Sequence, residues 1–113
     1  MSMLTESIQS HLETLLHNAS VNHGALDLTM GGEFARVKVH ASRMLEFCVR
    51  EAQQVMGGIG YSKGGRGGRV EQISRDVRVM VVGGGSDEIL TDLAMKQAIA
   101  AEKKKKKAVS SRL

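Results

Sequence analysis

Residues 33–56 read EFARVKVHASRMLEFCVREAQQVM. Phe34, Val37, Ala41, Met44, Leu45, Cys48, Val49, Ala52 and Val55 recur at helical spacing and form one apolar stripe. Arg36, Arg43, Glu46, Arg50 and Gln53 fall mostly away from it. A helix of this length spans roughly 36 Å at ~1.5 Å per residue, which is long for a globular protein. Gly57-Gly58 follows at once, and glycine takes a left-handed cap most easily, so the spacing predicts that the helix stops there.

Working outward, Leu4, Ile8, Leu12, Leu15, Leu16 and Ala19 predict an amphipathic helix over 3–19. Asn22, Gly24, Asp27 and Gly31-Gly32 make 20–32 a loop that packs its apolar residues inward, with a short strand at Leu26, Leu28 and Met30 as the alternative. Seven glycines in 57–68 predict a flexible turn region. Val70, Ile73, Val77 and Met80 predict a shorter helix over 69–79, broken by Gly83-Gly84-Gly85. Ser86 is a good N-cap, and Asp87 and Glu88 put negative charge at the positive end of a last helix, which Leu90, Leu93, Ala94 and Gln97 carry to about 102. The domain is therefore 1–102, and 103–113 is a mobile basic tail. Aromatic residues are only 3%, so the core must come from aliphatic side chains, which favours helix packing over a sheet. The class is all-α, a helical bundle.

The formal net charge is +4, but Lys103 to Lys107 are consecutive, and taking those five out leaves −1. This is a neutral body with a basic tail, not the distributed basic surface of a nucleic-acid-binding fold. The lone Cys48 cannot form an internal disulfide and reads as a small buried hydrophobe. No apolar run approaches the ~18 residues that span a membrane. The first nine residues hold Glu6 and no Lys or Arg, unlike a secretory signal or an Arg-rich transit peptide.

The glycine clusters do not make a phosphate loop. Gly58-Ile59-Gly60 begins a dinucleotide fingerprint, but its third glycine is one residue late and no strand precedes it. Lys63 is followed by Gly64, where a P-loop needs Ser or Thr. The Gly64 to Arg69 segment resembles a single RGG element without interleaved aromatics, so RNA binding through Arg66, Arg69 and the lysine tail is a minor alternative. His11, His17, His23 and His40 include no i, i+4 pair, and no metal site is expected. Ser111-Arg112-Leu113 is similar to the Ser-Lys-Leu peroxisomal signal, keeping the central positive charge behind a polar spacer. It implies recognition by a peroxisomal import receptor and a peroxisomal, or related microbody, location.

Two segments read together carry a family resemblance. One is Gln54-Val55-Met56-Gly57-Gly58-Ile59-Gly60-Tyr61; the other is Arg75-Asp76-Val77-Arg78 followed by Gly83-Gly84-Gly85-Ser86-Asp87-Glu88-Ile89. Their order, spacing and helical context over 33–97 resemble the C-terminal helical domain of acyl-CoA dehydrogenases. The resemblance implies FAD as cofactor, acyl-CoA as substrate, a separate electron acceptor and a homo-oligomer of the family's tetrameric kind. It implies that Gln54, Val55, Met56, Gly57 and Gly58 lie against the FAD of a neighbouring subunit. Ser86, Asp87 and Glu88 match flavin-contacting positions, and Gly84 and Gly85 match positions beside the acyl-CoA.

The family removes a proton next to the thioester carbonyl, which needs a carboxylate base over the acyl chain. Gly84 stands at the usual base position. The long-chain and isovaleryl branches resemble this chain in having a small residue there, their base coming from an earlier helix that has no recognisable counterpart here. No catalytic residue is therefore assigned, and the chain is expected to be inactive alone. The alternative reading is a non-catalytic helical module for oligomerisation.

Overall fold

The architecture is described from a computed structural model that covers residues 2–21 and 28–110. Five α-helices follow in order: α1 Ser2–Val21, α2 Leu28–Met56, α3 Gly58–Tyr61, α4 Gly68–Val82 and α5 Asp87–Ser110, with a 3-10 turn at Gly65–Gly67 before α4. No strand occurs among the described residues, so the all-α expectation holds. The long helix read from the sequence is the axis of the molecule, and α1, α3, α4 and α5 all pack on α2.

The body is drawn out. Its extents are 67 × 26 × 21 Å and its radius of gyration is 18.8 Å, where a compact chain of this length would have about 13 Å. The core is correspondingly thin. Leu15, Met30, Ala35, Val37, Val39, Val49, Val77, Val81 and Ala94 are buried, but no large side chain among the described residues is fully enclosed. The apolar stripe of α2 is only partly covered: Val37 and Val49 are buried, Phe34, Met44, Leu45 and Cys48 are half-buried, and Val55 is 87% exposed. Val39 and Ser42, off that stripe, are buried; α5 packs on that side, and Ser42 meets Asp87 there.

Three boundaries differ from the sequence reading. First, α2 begins at Leu28, so Gly31-Gly32 lies inside a helix and not in a loop or strand. The Gly32 amide donates to the Gln97 side-chain carbonyl, and a Cβ on Gly32 would come within 3.1 Å of Gln97 Cβ and 3.4 Å of Ala94 Cα. The glycines let α5 approach α2, and that contact outweighs their poor helix propensity. Leu26 lies outside the described residues.

Second, α5 continues to Ser110, so Lys103 to Lys107 are helical and no break falls at 102. Lysine and alanine are good helix formers, and positive charge at a helix C-terminus opposes the partial negative charge there. Third, 57–68 is a folded corner, not a flexible turn region. The Gly60 amide donates to the Gly57 carbonyl at 2.9 Å, and Gly60 and Gly67 are both buried. Gln53 Nε2 ties the corner down, donating to the Gly60 carbonyl at 3.2 Å and to Ser74 Oγ at 3.1 Å. Buried Glu71, in the first turn of α4, accepts from Arg75 Nε at 2.7 Å.

Candidate functional site

The turn between α4 and α5 collects the residues that the sequence marks. The Gly83 amide closes α4 on the Val79 carbonyl at 2.7 Å. Gly84 and Gly85 then take φ of 73° and 108°, the left-handed side of backbone space that suits glycine. Ser86 stands at the N-cap position, and Asp87 and Glu88 fill the first turn of α5. The Glu88 carboxyl is held below its ordinary value because it accepts from its own backbone amide and then from the Ser86 hydroxyl.

Asp87 faces inward. Its carboxylate accepts from Arg43 Nε at 2.9 Å and stands 3.3 Å from Ser42 Oγ, and the residue is 7% exposed. That carboxylate joins α5 to α2, whereas the Glu88 residue is exposed. Lys38, half-buried one helical turn before Ser42, donates from Nζ to the Val81 carbonyl at 2.6 Å and to the Gly85 carbonyl at 2.8 Å. Sequence reading passed over Lys38 and Ser42. Their i, i+4 spacing puts them on one face of the helix, which was the available signal; their partners 43 and more residues away were not readable.

Gly84 is exposed, and a Cβ placed there would meet nothing within 4 Å. The turn therefore presents open space where a side chain could stand, and this chain supplies no carboxylate at that position.

The second marked segment is the C-terminal end of α2. Gln54, Val55, Gly57 and Gly58 are exposed and Met56 is half-buried. Gly57 has φ 57°, and Cβ atoms on Gly57 or Gly58 would meet nothing within 4 Å. The backbone at these two glycines is open on the side that a Cβ would occupy. The two segments do not converge in one chain. Gln54 lies eleven residues beyond Arg43, which holds Asp87, so it is about 16 Å further along the helix axis at ~1.5 Å per residue.

Of the histidines, His11 and His40 share a groove of about 500 Å³ with Arg36, Arg43 and the apolar Val39 and Met95. No group of three metal-ligating side chains occurs among the described residues. His23 and the tripeptide Ser111-Arg112-Leu113 lie outside the described residues. No described helix is long and apolar enough to cross a membrane. Arg66 and Arg69 are exposed, as are Lys103 to Lys107.

Residues 1–99 match the family model of the acyl-CoA dehydrogenase C-terminal domain. The chain is 46% identical over 86 residues to acyl-CoA dehydrogenase AFT10-1 of Alternaria alternata, covering 76% of this chain and 20% of that protein. It is 33% identical over 104 residues to acyl-CoA dehydrogenase apdG of Emericella nidulans, covering 88% and 24%. Over 65 residues it is 37% identical to the probable acyl-CoA dehydrogenase YdiO of Escherichia coli K12, covering 58% and 16%. It thus spans about a fifth to a quarter of the length of the two fungal relatives. No solved structure matches the chain.

Proposed function

This chain belongs to the acyl-CoA dehydrogenase family, through its C-terminal helical domain, and from that premise we propose that it forms one wall of a flavin and acyl-CoA site and does not turn over alone. The observation that carries this reading is the geometry of the two motif segments. Gly57, Gly58 and Gly84 are open to an approaching ligand, yet the two segments lie about 16 Å apart along α2, so a single flavin ring would not meet both segments of one chain. When bound, FAD would supply a hydride acceptor for α,β-dehydrogenation of an acyl-CoA thioester in fatty-acid oxidation. A separate electron acceptor would then reoxidise it.

In this reading Gln54 would hydrogen-bond the cofactor, while Val55, Met56, Gly57 and Gly58 admit it to the backbone. Ser86 and Glu88 would meet a flavin at the head of α5. Asp87 would act there through its backbone, its carboxylate being held by Arg43. Gly84 leaves room for the thioester, with Gly85 beside it, and the proton next to the carbonyl must go to a carboxylate that this chain does not carry at Gly84. Because the segments are separated, each would serve a different flavin in a homo-oligomer. Exposed Val55, Tyr61, Val79 and Ile89 give such an assembly apolar surface to bury. A non-catalytic oligomerisation module would use the same surface but would need no flavin.

Photolabelling separates the two readings. The purified chain, irradiated with an azido analogue of FAD, is expected to be labelled within 54–58 and 84–88, and unmodified FAD should compete the label away. Label outside both segments, or none, sinks the flavin reading and leaves the oligomer module. Mixed with acyl-CoA, FAD and a dye acceptor, the chain is expected to give no turnover; sustained dye reduction would overturn the incompleteness.

Peroxisomal delivery is a separate proposal. It is supported by Ser111-Arg112-Leu113 directly after a helix whose last turns are exposed. A fluorescent protein fused ahead of Met1 should collect in peroxisomes, and deleting Leu113 should make it diffuse. Diffuse fluorescence from the undeleted fusion removes the proposal.

A further inference from the structure

We propose that Lys38 is a positioning residue, whose ammonium clamps the Gly83-Gly84-Gly85 turn to α2. Two of its three N–H donors reach carbonyls on either side of the turn, Val81 at 2.6 Å and Gly85 at 2.8 Å. The first carbonyl belongs to the last turn of α4, where unsatisfied carbonyls gather partial negative charge. The second lies just before α5 begins. One cation therefore stabilises the end of one helix and fixes the approach to the next.

The clamp has a specific task. Three consecutive glycines have more backbone freedom than any other tripeptide, and two of these must hold positive φ at once. A Cβ at Gly84 would meet nothing within 4 Å, so packing against Gly84 supplies no restraint of its own. The neighbouring bonds come from the same stretch of α2. Ser42 Oγ donates its one proton to the Lys38 carbonyl at 2.7 Å and stands 3.3 Å from Asp87 Oδ1, while Arg43 Nε donates to Asp87 Oδ2. These fix α5 beyond the turn, and Lys38 is the side chain that reaches across it. The consequence for ligand binding rests on the flavin and thioester reading above: Gly84 and Gly85 would be held in place before the ligand arrives, lowering the ordering cost of binding.

Backbone ¹⁵N relaxation of the whole chain tests the clamp without any ligand, so its outcome is independent of the flavin reading. In the unmodified protein the Gly84 and Gly85 amides should have order parameters near those of the helices, about 0.85. Lys38→Met, which keeps an unbranched chain and removes the ammonium, should drop both below about 0.6 while Gly64, in the far corner, stays unchanged. Lys38→Arg, which keeps a charged donor, should stay close to the unmodified values. Rigid glycines in Lys38→Met, equal loosening of Gly64, or identical Met and Arg variants would each overturn the assignment. Should Lys38→Met fail to fold, the unmodified protein still decides. The Lys38 ammonium protons should exchange with water at least tenfold more slowly than those of exposed Lys103 to Lys107, and equal rates would remove the clamp.

Discussion

Gly67→Ala is expected to lose about 3 kcal/mol or more, the upper end of what overpacking costs, because its methyl group has nowhere to go. Gly67 sits at φ −89° and ψ −13°, a right-handed conformation that alanine adopts freely, so backbone strain plays no part. The obstacle is contact. A Cβ there would overlap the Ile59 carbonyl and come within 2.9 Å of the Gly60 amide nitrogen. All of these are backbone atoms, so no rotamer change can relieve the clash. Moving Ile59 would also break the bond from the Ser62 amide to the Ile59 carbonyl that ends α3. At roughly 4–8 °C per kcal/mol for a domain near this size, the melting temperature should fall by about 12 °C or more. Gly64→Ala is the control. Gly64 has φ −124° and open space around it, so its substitution should change stability by less than about 0.5 kcal/mol. Thermal unfolding followed by far-UV circular dichroism checks both, and a Gly67→Ala melt within a few degrees of the unmodified chain would mean that the corner is not packed as described.

This corner also marks how far sequence reading reached. The helices at the centre were legible because their apolar residues repeat: Leu15 on α1, Val37 and Val49 on α2, and Val77 on α4 all fell on a periodic face and are buried. What the sequence could not convey is who meets whom across the chain. Gly31-Gly32 carries a loop signal locally, and only the approach of Gln97, 65 residues away, makes it helical. The glycines of 57–68 likewise look permissive one by one, while Gly60 and Gly67 are there because another backbone touches them.

The same division runs through the candidate site. Gln54 to Gly58 and Gly84 to Glu88 were readable as motifs, since their order and spacing survive in a single sequence. That Asp87 turns its carboxylate to Ser42 and Arg43 depends on α5 lying across α2, and no local pattern encodes it. The exposed motif segments are legible as a pattern; the inner side that holds them in place is legible only in three dimensions.

Gly85→Ala should cost about 2–4 kcal/mol, combining positive-φ strain with a steric contact. At φ 108° Gly85 lies outside even the compact left-handed region that other residues visit, a conformation close to glycine-only. Its Cβ would also stand 3.0 Å from Leu90 Cδ2 and 3.1 Å from Leu90 Cγ. Leu90 can shift a little, being the flexible end of a side chain, but the φ strain cannot be released without moving the Gly85 carbonyl off Lys38. Gly84 is the informative comparison. Its φ of 73° is ordinary left-handed backbone and its surroundings are empty, so Gly84→Ala should cost only about 1–2 kcal/mol. Urea unfolding of the two variants measures the gap, and equal losses would show that neither Leu90 nor the wider φ matters. An unequal loss makes the turn asymmetric in a useful way. The exposed position 84 tolerates a side chain, and the position next to it does not. The fold does not demand the glycine at 84, while the glycine at 85 is a requirement of the fold.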